Sequence, residues 1–423
     1  MTQSPHPARA AALRLMAGVV DDGKLMSELT EEGWFHALAP GDRARAQRLA
    51  LETFRQGERA DRLLKPLLQK SPPEAVQRIL RLGLVEIGAV GGAAHGVVGD
   101  MVSATGAAKR TRGLKGMVNA VLRKASVQAE ADWGKLPVPR LPAWLRKPLT
   151  AAYGNSAVQG IETAHLRGAA LDVTAKGDPK AVAEALGGEV LPTGSVRVRD
   201  AGQVSKLPGF AEGEWWVQDA AAALPAQILA AREGERVLDL CAAPGGKTMQ
   251  LAATGALVTA VDSSGARLDR VRENLARTGL TADIMEADVF DVVGQFDAVL
   301  LDAPCSATGT IRRHADLPYA RDGAGISELI ALQGRMLDHA IMLLKPGGRL
   351  VFCTCSLLPD EGEVQVEDAL KRNSGVRVDG AAMELSGIDP AWTTEEGGLR
   401  LRPDYWMKAG GMDGFYMACL RKG

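Results

Sequence analysis

The chain has 423 residues, of which 46% are hydrophobic and 24% are charged, and its formal net charge is −1 at pH 7. This length exceeds one ordinary hydrophobic core, so we expect two or three domains in a globular protein. The sequence contains no run of about 18 uncharged apolar residues, and its first residues lack the apolar stretch of a signal peptide. These features argue against a membrane-spanning protein. The cysteine usage described next predicts a cytoplasmic location, and nothing in the sequence demands more than a monomer.

Cysteine and histidine usage argues against disulfides and metals. The five cysteines are an odd number over this length, which favours a reducing compartment over a disulfide framework. No Cys-x-x-Cys pair occurs, and the six histidines lack the spacing of metal ligands. We therefore expect no metal site.

The charges are unevenly distributed along the chain. Residues 1–150 contain 23 Lys and Arg against 14 Asp and Glu, a net charge of +9, whereas the remainder carries −10. Six basic residues with no intervening acid are Lys109, Arg110, Arg112, Lys115, Arg123 and Lys124. On charge alone, a basic surface for a polyanion and a set of solvated helix faces are equally consistent with this pattern.

The apolar spacing changes twice along the chain. Helical spacing over 1–125 predicts an all-α N-terminal domain at residues 1–127. Clustered prolines and then short strand patterns predict a linker and a small α+β connector at residues 128–212. The chain is therefore predicted to be multidomain.

An α/β domain is expected over residues 213–423. Its short apolar runs, separated mostly by helical stretches, lie at 237–240, 257–261, 282–285, 298–301 and 350–353. Such alternation predicts a parallel, doubly wound, Rossmann-like sheet. Residues 414–421 are predicted to add one further strand.

A glycine-containing turn follows the first strand of this α/β domain. It consists of Cys241, Ala242, Ala243, Pro244, Gly245, Gly246 and Lys247. Ligands of open α/β sheets bind beyond the carboxyl ends of the strands, and glycine lets the backbone approach a ligand closely. The turn lacks both the G-x-G-x-x-G pattern of dinucleotide sites and the first glycine of a P-loop.

Two carboxylates indicate which cofactor this turn holds. Asp262 ends the next strand, where a carboxylate accepts ribose hydroxyl protons, and Asp288 follows the third strand near an adenine edge. A Gly-Gly pair alone is an ordinary turn. Together with two carboxylates at successive strand ends, it favours S-adenosylmethionine.

Two cysteines follow the ends of two further strands. Cys305 lies three residues after Asp302, and Cys355 lies between Thr354 and Ser356. If these strands are neighbours, both thiols lie at the cofactor edge. A thiolate that adds to carbon 6 of cytosine makes carbon 5 nucleophilic toward a methyl donor, and Asp302 is placed to hydrogen-bond the base. The alternative, a buried small hydrophobe, is the better interpretation of Cys241, Cys353 and Cys419.

These motifs resemble the Sun/nucleolar-protein family of RNA cytosine-5 methyltransferases. The resemblance lies in residues 241–247, 302–309, 354–356 and 413–418. In the front half, residues 93–98 and 113–123 resemble the helical RNA-binding domain named after the antiterminator NusB. That domain joined to this catalytic domain is the arrangement of the bacterial 16S ribosomal RNA methyltransferase B group, so the resemblance covers nearly the whole chain.

The resemblance implies a role for each site residue. Cys355 would be the nucleophile and Cys305 would assist product release, whereas DNA cytosine-5 methyltransferases attack from the position of Cys305. Lys247 would support the site electrostatically. The methyl-donor contacts would fall on Cys241 to Lys247, Asp262, Asp288 and Asp302.

RNA is the expected partner, with 16S ribosomal RNA the first choice. The expected RNA contacts are Lys109, Arg110, Arg112, Lys115, Arg123, Arg312, Arg313 and His314. The connector departs from the family, because Asp172 and Thr174 stand where Arg and Asn are usual. Two alternatives stay open: a tRNA cytosine-5 methyltransferase, and a non-catalytic RNA-binding assembly or antitermination factor.

Overall fold

A computed structural model describes residues 6–423. The chain divides into two compact units, of which the helical unit comprises the residues up to Arg167 together with Ile311–Gly323. The sheet unit comprises Gly168–Thr310 and Ala324–Gly423. Within the described part of the chain, no helix combines the length and the apolarity needed to cross a membrane.

The N-terminal part of the helical unit confirms the predicted all-α domain. Its helices are α1 (Pro7–Asp22), α2 (Met26–Thr30), α3 (Gly33–His36), α4 (Pro40–Leu64), α5 (Glu74–Gly88), α6 (Ala94–Ala107), α7 (Lys115–Asp132) and α8 (Ala143–Arg167). Helix α1 begins at a proline and ends before Gly23, whose φ of 66° suits a glycine cap. Helical spacing places leucines such as Leu15, Leu49, Leu80 and Leu122 on inward faces, and all four are fully buried.

A buried ion-pair network joins α1, α4, α5 and α6. The Glu86 carboxylate has no exposed surface and accepts hydrogen bonds from Arg9 at 2.7 and 2.9 Å. Arg45 donates to the same carboxylate at 2.7 Å, and Arg9 also donates to Asp100 at 2.6 Å. Because removing one partner leaves an uncompensated buried charge, this network fixes the packing of four helices.

Helix α8 extends the helical unit beyond the predicted boundary at residue 127. Its interruption at Gly154 has a non-helical φ of 79°. Leu145, Leu149 and Ile161 are fully buried on the apolar side of this helix. The Arg55 side chain on α4 donates to the backbone carbonyl of His165 at 3.1 Å. These contacts group α8 with the preceding helices.

The connector predicted from short strand patterns is a four-stranded sheet within the sheet unit. Its elements are β1 (Leu171–Ala175), α9 (Pro179–Leu186), β2 (Glu189–Val190), β3 (Val196–Val198) and β4 (Trp215–Val217). The strand order is β2-β3-β1-β4. Strand β4, which lies after residue 212, pairs antiparallel with β1.

Asp172 and Arg197 explain the departure noted in the connector. They are paired in register on β1 and β3, and their side chains form a buried bidentate ion pair with distances of 2.7 and 2.6 Å. Arg197 also donates to the carbonyls of Ala409 and Gly411 at 2.8 Å. Asp172 is therefore a structural partner of a cross-strand arginine.

The predicted Rossmann-like sheet is confirmed. Its strands are β5 (Arg236–Leu240), β6 (Leu257–Asp262), β7 (Asp283–Glu286), β8 (Phe296–Asp302), β9 (Leu344–Thr354), β10 (Val376–Val378), β11 (Leu399–Leu401) and β12 (Phe415–Lys422). The order is β10-β12-β9-β8-β5-β6-β7, and β11 pairs with β12. Strands β5 to β9 run parallel, as the alternating pattern predicts, whereas β12 is antiparallel to β9.

Helices separate most of these strands. They are α10 (Leu224–Leu229), α11 (Gly246–Ala252), α12 (Gly265–Thr278), α13 (Leu317–Ala320), α14 (Ile326–Met342) and α15 (Glu363–Arg372). Helix α13 lies in residues 311–323, the segment that belongs to the helical unit. There the Tyr319 hydroxyl donates to the carbonyl of Phe54 at 3.0 Å, and Asp316 accepts from the backbone N–H of Met26 at 2.8 Å.

Candidate active site

The parallel strands bring the predicted site residues to one edge of the sheet. The turn after β5 places Gly245 at φ 98°, directly before α11 begins at Gly246. Such a φ is strained for any residue with a side chain, which explains glycine at this position. Cys241 also has a positive φ, of 62°, and burial raises the pKa of its thiol to about 12. The turn therefore presents backbone groups at the N-terminus of a helix.

Asp262 and Asp288 lie where the sequence predicts, at successive strand ends. Asp262 is buried at the end of β6 and accepts from the backbone N–H groups of Ala243 and Ser264 at 3.2 and 3.1 Å. Asp288 is exposed and caps a short turn by accepting from the N–H of Phe290 at 3.0 Å. Asp262 therefore holds the backbone of the turn after β5 through Ala243, whereas the Asp288 side chain is accessible to solvent.

Lys247 and Asp302 form an ion pair at this edge. Lys247 Nζ donates to Asp302 Oδ2 at 2.7 Å, and the other carboxylate oxygen lies 3.5 Å from the Cys353 sulfur. Burial disfavours the ammonium form, but Asp302 outweighs it and holds the pKa of Lys247 above its usual value. Asp239, whose carboxylate accepts from the Thr248 hydroxyl at 2.6 Å, has its pKa raised to about 7 by burial.

The two predicted thiols are neighbours. Strands β8 and β9 pair directly, with Asp302 opposite Cys353, and the Sγ atoms of Cys305 and Cys355 are 3.5 Å apart. The hydrogen bond to Cys355, together with burial, raises the pKa of the Cys305 thiol well above its usual range. Cys305 is therefore a neutral thiol at pH 7. Cys353 and Cys419 are fully buried, as expected of small hydrophobes.

Close backbone packing fixes the Cys305 loop. The N–H of Gly309 donates to the carbonyl of Cys355 at 2.9 Å, and the N–H of Gly414 donates to Gly309 O at 2.9 Å. A Cβ atom at Gly309 would lie 2.0 Å from Gly414 O. Only glycine fits here, so the 302–309 and 413–418 motifs meet in space.

Sequence reasoning missed a fully buried carboxylate, Glu361, behind the two thiols. Its oxygens accept hydrogen bonds from Ser306, Ser356 and Gln333. The sequence signal was the stretch 358–361, which is similar to the family pattern after the strand-end cysteine, but nothing in it indicated that the Glu361 side chain is buried. It also missed Arg267, which donates to the Ala243 carbonyl at 2.9 Å.

The expected RNA-binding residues lie in the helical unit. Five of the basic residues at 109–124 are exposed, and Lys115 is half-buried. Arg313 and His314 are exposed as well. Arg312 has no exposed surface, so its burial argues against the phosphate contact expected of it. The other members of the set remain predictions.

Solved structures show the same fold. The structure of PH0851 superimposes with a TM-score of 0.74, at 22% identity over 99% of this chain and 100% of that chain. A methyltransferase homolog protein from Pyrococcus horikoshii gives a TM-score of 0.56, at 28% identity over 66% of this chain and 94% of that chain. The fold and its strand-end site define a Rossmann-like methyltransferase.

Sequence comparisons specify the family. The model described as 16S rRNA methyltransferase RsmB/F matches residues 226–421, and the model described as NusB family matches residues 6–126. Ribosomal RNA small subunit methyltransferase B of Vibrio cholerae is 36% identical over 98% of this chain and 97% of its own length. The protein of that name from Pseudomonas syringae is 37% identical over 99% and 97%. The chain belongs to the ribosomal RNA small subunit methyltransferase B family.

Proposed function

We propose that this enzyme methylates carbon 5 of a cytosine in 16S ribosomal RNA, with S-adenosylmethionine as the methyl donor and Cys355 as the nucleophile. The observation that carries the proposal is the 3.5 Å separation of the Cys305 and Cys355 sulfurs at the edge where the turn after β5 ends. The names of the full-length relatives support the choice of substrate.

The residues at the strand ends fit the methyl donor chemically. The turn Cys241–Lys247 offers backbone groups at a helix N-terminus, and Asp262 and Asp288 offer acceptors for ribose hydroxyls and an adenine amine. The Asp262 oxygens already accept backbone hydrogen bonds, and Oδ1 also accepts from Arg267 at 3.4 Å, so the second lone pair of Oδ2 is the acceptor for a ribose hydroxyl. When bound, S-adenosylmethionine would supply an electrophilic methyl group.

The thiol of Cys355 would open the reaction. Its thiolate adds to carbon 6 of the cytosine, which forms a sulfur–carbon bond and places the electron pair on carbon 5. Carbon 5 would take the methyl group, with S-adenosylhomocysteine as the leaving group, and its proton would then pass to water or another base. Elimination breaks the sulfur–carbon bond, restores the aromatic ring and returns the thiolate of Cys355.

Cys305 would act on the leaving thiolate. Because its pKa is raised, it stays protonated at pH 7, and at 3.5 Å from the Cys355 sulfur it would donate a hydrogen bond to the Cys355 thiolate. A hydrogen bond to a departing anion stabilises it, so Cys305 assists product release. Asp302, held by Lys247 at 2.7 Å, would accept hydrogen bonds from the base during attack.

Bisulfite sequencing of ribosomal and transfer RNA tests the proposed reaction. In cells lacking the gene, we expect one 16S rRNA cytosine to lose its methylation. Expression of the wild-type protein or Cys419→Ala should restore the signal, whereas Cys355→Ala should not. Loss of a tRNA signal instead would change the substrate, and restoration by Cys355→Ala would refute the nucleophile.

A further inference from the structure

Glu361 lies directly behind the two thiols and has no exposed surface. Its Oε2 atom accepts from the hydroxyls of both Ser306 and Ser356, the latter at 2.6 Å. Each serine immediately follows one of the two cysteines in the chain. A single carboxylate oxygen therefore joins the two loops that carry the thiols.

The other oxygen of Glu361 secures the Cys305 loop from a second direction. Oε1 accepts from the backbone N–H of Ser306 at 2.9 Å and from Gln333 Nε2 at 3.0 Å. The same Gln333 nitrogen donates to the carbonyl of Pro304 at 2.8 Å. The residues on both sides of Cys305 are thus held through one buried acid and one amide from α14.

Glu361 also accepts hydrogen bonds from the residues on both sides of Cys355. The hydroxyl of Thr354 donates to the backbone carbonyl of Glu361 at 2.8 Å, while the Ser356 hydroxyl donates to its side chain. Thr354 precedes Cys355 and Ser356 follows it, so Glu361 is hydrogen-bonded on both sides of this cysteine as well. A buried carboxylate with four donors is a strong constraint, because leaving these groups unpaired is costly.

We propose that Glu361 is a positioning residue that sets the separation of the Cys305 and Cys355 sulfurs. The inference builds on the proposed cytosine chemistry, because that chemistry is what needs the two thiols together. Glu361 acts through Ser306 and Ser356, whose hydroxyls point to its carboxylate. It is not itself a proton acceptor from substrate.

The test compares Glu361→Gln with Asp360→Asn. Both substitutions replace an acid by its isosteric amide at adjacent positions, but Asp360 is exposed. Two rates are measured at equal protein stability: the oxidation of the Cys305–Cys355 pair to a disulfide by diamide, followed by peptide mapping, and methyl transfer to 16S rRNA. Diamide accepts the two electrons and two protons that the thiols release.

We expect Glu361→Gln to slow both rates by about 100-fold, since a displacement of about 1 Å has that effect on an oriented reaction. The KM for the methyl donor should not change, and Asp360→Asn should behave as wild type. Equal rates for the two variants would overturn the proposal. If disulfide formation slows but wild-type protein makes no methylcytosine, the positioning role holds and the proposed function fails.

Ser306→Ala provides the second variant if Glu361→Gln does not fold. It removes one hydroxyl donor and keeps the buried acid and its remaining partners. A several-fold slower disulfide formation than in wild type is expected. A wild-type rate in this variant would equally overturn the proposal.

Discussion

The helical unit and the sheet unit place buried charges in different ways. In the helical unit, Glu86 is surrounded by two arginines, and Arg78 pairs with Asp21 across helices at 2.7 Å. In the sheet unit, titratable groups gather at one edge, where burial raises the pKa of Asp239 and a neighbouring thiol raises that of Cys305. The ion pairs of the helical unit join helices, whereas the shifted groups at this edge of the sheet lie in the candidate active site, where such shifts are typical.

The largest expected effect separates the stability of the helical unit from activity. Glu86→Ala leaves Arg9 buried without its main partner and should lower the free energy of unfolding of the helical unit by about 3–5 kcal/mol. Hydrogen exchange, resolved by peptide, measures this loss unit by unit. Glu130→Ala, an exposed acid on α7, is the control and should change it by less than about 0.5 kcal/mol. Equal effects of the two variants would contradict the stabilising role of the Glu86 network in the helical unit.

A substitution at Gly309 should have the opposite effect, a loss of activity without a loss of stability in the helical unit. A Cβ atom there would collide with Gly414 O, so Gly309→Ala should displace the Cys305 loop and reduce methyl transfer by about 100-fold. The exchange protection of the helical unit should not change. Gly375→Ala, at a site with open space around the added atom, should retain activity. An active Gly309→Ala enzyme would show that the loop tolerates movement.

The free energy of unfolding of the two units should also depend on pH in opposite directions. Burial lowers the pKa of His165 in the helical unit to about 3, from an ordinary 6.5. Below pH 6.5, His165 is therefore protonated in the unfolded chain but stays neutral in the folded unit. The free energy of unfolding consequently falls as the pH decreases, by about 2 kcal/mol between pH 7 and pH 5. His165→Leu should remove this dependence. Amide hydrogen exchange of the helical unit, corrected for the pH dependence of the intrinsic exchange rates, measures it.

Asp239 gives the opposite dependence in the sheet unit. Its folded pKa of about 7 lies above the unfolded value of 3.8, so its contribution to stability decreases as the pH rises from about 4 to about 7. Asp239→Asn should flatten that trend in the sheet unit and leave the helical unit as it is. If the stability of both units changed with pH in the same direction, the predicted difference between His165 and Asp239 would be wrong.

The smallest effect concerns RNA affinity. Replacing Lys109, Arg110 and Arg123 by glutamine should weaken RNA binding and lower the slope of log K against log salt by about 0.7–0.9 per lost phosphate contact. Replacing three exposed cations of the sheet unit, Lys371, Arg372 and Arg377, by glutamine is the control that removes the same charge. An unchanged salt slope would favour solvated helix faces over an RNA surface.

Periodicity and strand-end motifs predicted most of the fold and the placement of the two thiols side by side at one edge of the sheet. Strands β5 to β9 and the adjacency of the thiols follow from alternation and parallel winding, which are local patterns. The grouping of residues 311–323 with the helices depends on contacts such as Tyr319 with Phe54, which are 265 residues apart. The buried positions of Arg312 and Glu361 likewise depend on tertiary packing, because a charged residue in a loop gives no sign of burial.

The covalent bond between protein and RNA tests the central claim most directly. Cys305→Ala enzyme is incubated with S-adenosylmethionine and 16S rRNA, digested, and analysed by mass spectrometry for peptides that carry a nucleotide. We predict a methylated cytidine adduct on the peptide containing Cys355. An adduct on any other residue, or product formation by Cys355→Ala, would contradict the proposed mechanism.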